Sequence, residues 1–166
     1  MPVLIDTSLE AKALIESEIQ NTLDLLDTGH RTLPVKAMPI HGEWQLPAPI
    51  NTDLTGDANT FKSHSEATES SPVILYFHGG GYIAGSAQAE RPASFKLCQL
   101  CQCRVLSINY RLAPQHPFPA ALVDAVHAYK YLIDPPDGAL HTAVSPDNII
   151  LAGSSAGVCS VMSSFS

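Results

Sequence analysis

The sequence predicts an α/β fold, a mostly parallel sheet with flanking helices, and three observations carry that expectation. Val73–Phe77 is a short apolar run, of the kind that forms a strand buried on both faces, and Arg104–Ile108 and Asn148–Ala152 read as a second and a third strand. Between them lie two longer stretches with helical patterning, from about Ala87 to Gln102 and from Ala120 to Ile133. Strand and helix alternate, which is the signature of parallel βαβ units. The second helix takes its apolar positions from Ala121, Val123, Ala125, Ala128, Tyr129 and Leu132. Tyr110–Pro119 reads as a proline-punctuated loop, and the residues from Ser155 onward read as the start of another helix.

The first 72 residues are less regular. Thr7 to Gly29 reads as an amphipathic helix. Thr7 and Glu10 fit a capping box, Ile15, Ile19, Leu23 and Leu26 recur at helical spacing, and Gly29 suits a C-cap. Pro34, Pro39, Pro47 and Pro49 then break regular structure. One or two short strands are expected around Val35–Ile40 and Glu43–Leu46, and the polar stretch Asn51–Ser71 reads as a loop. The chain thus divides into a helical region 1–33, a poorly patterned region 34–72 and the main body 73–166.

Composition narrows the function. The 166 residues are 45% hydrophobic and 15% charged, enough for one domain with a core. A formal charge of -7 argues against a nucleic-acid partner, since phosphate binding needs clustered Lys and Arg. The sequence has no long apolar run, no basic n-region before an apolar stretch and no N-x-[ST] sequon, which together suggest a cytoplasmic protein without a membrane span. Cys98, Cys101 and Cys103 cluster, with Cys159 far away. A structural zinc site usually takes two separated pairs, so reduced thiols packed as small hydrophobes are the favoured reading. No metal and no organic cofactor is expected.

Two motifs carry chemistry. His78-Gly79-Gly80-Gly81 follows the first strand directly. Ester cleavage builds negative charge on a carbonyl oxygen, and fixed backbone N–H groups stabilise it. A glycine-rich turn of no function has similar composition. Dinucleotide binding through Gly79, Gly81 and Gly85 fails, because the third glycine comes one residue late and no acidic residue follows at the required distance. The second motif, Gly153-Ser154-Ser155-Ala156-Gly157, follows the third strand and fits G-x-S-x-G, the strained strand-to-helix turn that exposes a nucleophilic serine. The helix beginning there aims its positive end at a developing oxyanion, with the Ala156 N–H as an expected donor.

Between the two lies Tyr110-Arg111-Leu112-Ala113-Pro114-Gln115-His116-Pro117-Phe118-Pro119-Ala120-Ala121. In this order and spacing, the three motifs resemble the N-terminal part of the hormone-sensitive-lipase family of α/β-hydrolases, specifically from Val73 to Gly157. The N-terminal helix also resembles part of that family's cap, whereas residues 34–72 match its first two strands poorly. The resemblance implies a serine carboxylic-ester hydrolase, esterase- or lipase-like. Ser155 would be the nucleophile, and Gly80, Gly81 and Ala156 the oxyanion donors. His78 would brace the loop. Gly79, Gly153, Gly157, Tyr110, Arg111 and Asp124 would support the site as scaffold. Two positions depart from the family. Ser154 stands where it usually has Asp, which removes a charge beside the nucleophile, and Val158 stands where it usually has Gly.

In this fold the triad acid and base follow the serine. The eleven residues after Ser155 contain no Asp, Glu or His. The histidines are His30, His41, His64, His78, His116, His127 and His141, all upstream, and neither His116 nor His127 resembles a base of this family. The chain is therefore expected to be an incomplete and inactive fragment, acting in its whole form on a small-molecule ester. Two other readings compete: a non-catalytic small-molecule-binding module, and an interaction fragment that pairs through an exposed sheet edge.

Overall fold

The structure is a computed structural model, and it describes residues 2–5 as backbone together with 38–47 and 72–158. Strands β1 (Pro2–Ile5), β2 (Ile40–Gln45), β3 (Val73–Phe77), β4 (Arg104–Asn109) and β5 (Ile149–Gly153) form one sheet in the order β1-β2-β4-β3-β5. β3 runs parallel to both β4 and β5, while β2 is antiparallel to β4 and to β1. Helix α1 (Arg91–Cys101) joins β3 to β4, and helix α2 (Ala120–Ile133) leads from β4 towards β5. Among the described residues, no helix is long and apolar enough to cross a membrane.

The two helices cover opposite faces of the sheet, and side-chain alternation along β3 shows how. Val73, Leu75 and Phe77 join Leu106 and Ile108 against Ala125, Ala128 and Leu132 of α2. Ile74 and Tyr76 point the other way, packing with Val105, Cys98 and Cys103 on the α1 side. All five residues of β3 are buried, so the strand needs apolar character throughout, as its sequence has. Cys98 and Cys103 pack as buried hydrophobes, while Cys101 is exposed.

The register places the chemistry. Phe77 lies opposite Ile108 on β4 and opposite Gly153 on β5, so three strands end together. The chain segments leaving β3, β4 and β5 therefore emerge side by side. That is the carboxyl edge where open α/β sheets hold ligands.

Several boundaries differ from the sequence expectation. α1 starts at Arg91 rather than Ala87, because Ala87–Glu90 is taken up by turns: Ala87 N–H donates to Asn109 Oδ1 at 2.7 Å and Ala89 N–H to Ser86 Oγ at 3.1 Å. Pro92, early in the helix, suits such a start. Of the one or two short strands expected here, a single one runs from Ile40 to Gln45, through Gly42, and residues 35–37 lie outside the described residues. It is tied to α1 by the Arg91–Glu43 ion pair (2.7 Å) and by Gln45 Nε2–H donating to Ser94 Oγ at 2.8 Å. β1 has no counterpart in the sequence expectation, and β4 extends one residue further, to Asn109. β5 begins at Ile149 because Pro146–Asn148 forms a 3₁₀ turn. The helix expected over Thr7–Gly29 and the loop Asn51–Ser71 lie outside the described residues.

His127 on α2 is 2% exposed, and neither of its ring nitrogens has a hydrogen-bond partner. Burial, with smaller contributions from Arg111 and Lys130, pushes its pKa down from 6.5 to about 4. The fold thus holds this ring neutral while the unfolded chain protonates it. The resulting stabilisation is complete above about pH 6.5 and is lost as pH falls towards 4. His127→Leu should therefore give a shallower fall in urea-unfolding free energy between those limits. His141, also buried and shifted down, leaves part of the slope in place. An unchanged slope would contradict this assignment.

Candidate active site

The loop after β3 is pinned peptide by peptide. In a trans peptide the C=O and N–H point in opposite directions, so anchoring one aims the other. The His78 carbonyl accepts a hydrogen bond from Tyr110 Oη–H at 2.6 Å, and the N–H of the same peptide, on Gly79, donates to Glu90 Oε1 at 2.8 Å. The Gly79 carbonyl accepts from His78 Nδ1–H at 2.7 Å, which aims the Gly80 N–H away from the ring. The Gly80 carbonyl accepts from the Ile83 and Ala84 amides at 3.1 and 3.0 Å, which aims the Gly81 N–H in turn. A carbonyl can only accept, so the His78 bond requires its hydrogen on Nδ1. The His78 ring is buried and stacked on Tyr110, with centroids 4.2 Å apart. Gly80 needs to be glycine: its φ is +118°, and a Cβ there would lie 2.1 Å from the Ala84 carbonyl oxygen.

The turn after β5 closes onto this loop. Ser154 N–H donates to the Phe77 carbonyl at 3.1 Å, and Gly157 and Val158 N–H donate to the Ser154 and Ser155 carbonyls at 2.8 and 3.0 Å. Ser155 sits between, exposed, with φ of +48°. A non-glycine residue adopts that conformation only where its surroundings enforce it. Here the enforcement is close packing, since a Cβ on Gly157 would lie 2.2 Å from the Phe77 carbonyl oxygen and one on Gly153 2.7 Å from it. Ala156 is buried, and its carbonyl accepts from Tyr82 Oη–H at 2.8 Å, a second tie between loop and turn.

The third motif forms a brace. Arg111 and Asp124 pair at 2.6 Å, with further hydrogen bonds to the carboxylate from Arg111 Nε–H and from the Arg111 backbone N–H. This fastens the segment after β4 to α2. Beside it lies a hollow of about 410 Å³ lined by Tyr82, Arg111, Ala113, His116, Phe118, Ala121 and Leu122. His116 borders that hollow, whereas His127 is buried without a partner. Among the described residues, no group of three or more His, Cys, Asp or Glu is arranged to hold a metal ion.

Sequence reasoning missed Glu90. Its carboxylate accepts from Tyr76 Oη–H at 2.8 Å, from Gly79 N–H at 2.8 Å and from Ser154 Oγ–H at 2.7 and 2.9 Å. Burial would raise its pKa, but the bonds from Ser154, Gly79 and Tyr76, aided by His78, outweigh it and hold the carboxyl below its ordinary value. Burial, and then Glu90, pushes the Tyr76 phenol up to about 12. The available signal was Ser154 itself: the family resemblance leads one to expect an aspartate there, and a serine in its place invites a search for a carboxylate elsewhere.

This arrangement is that of an α/β-hydrolase, and comparison with known proteins agrees. A family profile described as the alpha/beta hydrolase fold matches residues 74–159, just over half of the chain. The chain belongs to this family and is of its hormone-sensitive-lipase type. It is 37% identical over 98 residues to an AB hydrolase superfamily protein of Schizosaccharomyces pombe, covering 58% of this chain and 28% of that one. It is 32% identical over 123 residues to Lipase 2 of a Moraxella species, covering 70% and 27%. Among solved structures, an esterase from the bacterial hormone-sensitive lipase family superposes with a TM-score of 0.56 at 34% identity, covering 75% of this chain and 34% of that one. The chain thus spans about a quarter to a third of such relatives.

The close approach at Phe77 makes a direct prediction. Gly157→Ala should lower the urea-unfolding free energy by at least about 2 kcal/mol, because backbone must move to admit the methyl group. Gly138→Ala is the control: φ there is +81° with nothing within 4 Å of the added Cβ. It should cost about 1 kcal/mol, for conformation alone. Equal losses in the two variants would contradict the packing argument.

Proposed function

We propose that the chain carries the nucleophile and oxyanion hole of a serine carboxylic-ester hydrolase. The observation that carries this reading is Ser155 held at φ of +48°, exposed, on a turn locked against a glycine loop whose N–H groups are aimed by their carbonyl anchors. In the proposed reaction Ser155 Oγ attacks the ester carbonyl carbon and loses its proton to a base. The N–H groups of Gly80, Gly81 and Ala156 take the oxyanion. The alcohol then leaves with a proton, and water hydrolyses the Ser155 ester to release the acid. His78, Gly79, Tyr110, Arg111 and Asp124 hold this geometry without transferring protons. The apolar walls of the hollow beside Tyr82 suit part of a small or medium ester. No step draws on a metal or cofactor.

The eleven residues that follow Ser155 supply neither the base nor its acid partner, so these 166 residues by themselves should turn over ester poorly. Oxyanion stabilisation alone leaves roughly 10³–10⁴-fold over water in other enzymes. A second reading, pairing with another chain, rests on β5: among the described residues it pairs with β3 only, and Ile150 on it is 47% exposed. A reducing, cytoplasmic setting suits the free thiols.

Prolonged incubation of the chain with excess p-nitrophenyl acetate should place one acetyl group on Ser155, seen by intact mass and peptide mapping, because deacylation also lacks its base. Ser155→Ala should abolish that adduct, and steady turnover should stay barely detectable. Adducts on surface lysines alone would contradict the assignment of Ser155.

A further inference from the structure

We propose that Glu90 is a positioning residue that clasps the oxyanion loop to the nucleophile turn, and that Ser154 is its matched hydroxyl donor. The inference rests on the reading of Ser155 as the nucleophile and goes beyond it, to what holds the two halves of the site in register.

Glu90 is the residue preceding α1, yet its side chain makes no capping bond to that helix. Its carboxylate instead reaches across to three donors on three segments: Tyr76 on β3, Gly79 in the loop and Ser154 on the turn. All three partners donate to the ionised carboxylate at once; a protonated one would lose the charge that strengthens those bonds and would have to turn a hydroxyl, that of Ser154 or Tyr76, from donor to acceptor. Charge-assisted bonds of this type are about twice as strong as neutral ones. The bond to Gly79 also uses an N–H of the glycine loop, which leaves those of Gly80 and Gly81 for a developing oxyanion. Since Gly79 and Ser154 sit on the same carboxylate, a shift of the turn is felt by the loop directly.

The clasp explains the residue at 154. With Glu90 in place, an aspartate there would set two carboxylates at hydrogen-bond distance, where like charges cannot both remain ionised. A serine supplies the hydrogen that Glu90 needs. Residues 90 and 154 therefore form one acceptor and one donor, and exchanging the roles should preserve the clasp. The hydrogen bonds also hold the Glu90 carboxyl below its ordinary value, so the clasp persists above about pH 4.5 and opens as pH falls through the folded-state value.

The test uses the full 166-residue chain, with Glu90→Gln, Ser154→Asp and the double variant. In ¹H–¹⁵N spectra the Gly79 and Ser154 amides should titrate together in acid, and Glu90→Gln should remove that titration. Ser154→Asp should lower the urea midpoint, and adding Glu90→Gln should restore most of it, a non-additivity that a scaffold role without charge pairing would not produce. Acetylation of Ser155, measured per folded molecule, should slow at least ten-fold in Glu90→Gln. Additive effects on the midpoint, or a Gly79 titration that survives Glu90→Gln, would overturn the clasp. Coupled midpoints with no acetylation of the native chain would sustain the clasp and count against the esterase reading instead.

Discussion

The carbonyl of Phe77 is the point on which the rest of this structure depends. It ends the most deeply buried strand, accepts the Ser154 N–H, and is approached so closely by Gly153 and Gly157 that neither position has room for a side chain. A parallel pair of strands would otherwise separate beyond its last ladder bond. Here the ladder between β3 and β5 passes into a turn that crosses over the end of β3. Because β3 is packed on both faces, it cannot yield, and the strain falls on Ser155, whose left-handed conformation is the only one of the turn that costs a side chain dearly.

Around this contact lies a layer of polar braces, each joining segments that leave different strands. Tyr110 reaches from the end of β4 to the His78 carbonyl, Tyr82 reaches from the loop to Ala156, and Glu90 reaches from the start of α1 to Gly79 and Ser154. Arg111 and Asp124 fasten the outer wall. Single hydrogen bonds contribute only about 1 kcal/mol each, so their value here is direction rather than stability. They fix the glycine loop and the serine turn relative to one another, the preorganisation that the proposed esterase reading calls for.

The legible parts of the fold are those set by local pattern. β3, β4, β5 and α2 announce themselves by apolar runs and helical spacing, and the glycine loop and serine turn by residues that only their backbone shapes demand. The start of α1 reads too early in the sequence because Ala87–Glu90 has helix-compatible composition, while Asn109, far along the chain, claims the Ala87 N–H. β1 and the single run of β2 depend on pairing across the sheet, which no local window contains. Glu90 escapes a sequence reading for the same reason: its partners are 11, 14 and 64 residues away, and beside Arg91 it looks like an ordinary surface charge. The serine at 154, where the family resemblance leads one to expect aspartate, is visible in the sequence, but its bond to Glu90 is legible only once the two positions are adjacent in space.

Native-state amide hydrogen exchange at Ser154 tests most directly whether the turn is locked onto β3. The account predicts that the Ser154 N–H, bonded to the Phe77 carbonyl, exchanges as slowly as the interior amides of β3 and opens only with them. Exchange near the rate of an unstructured peptide, while β3 stays protected, would show that the turn forms without the lock and would contradict the account.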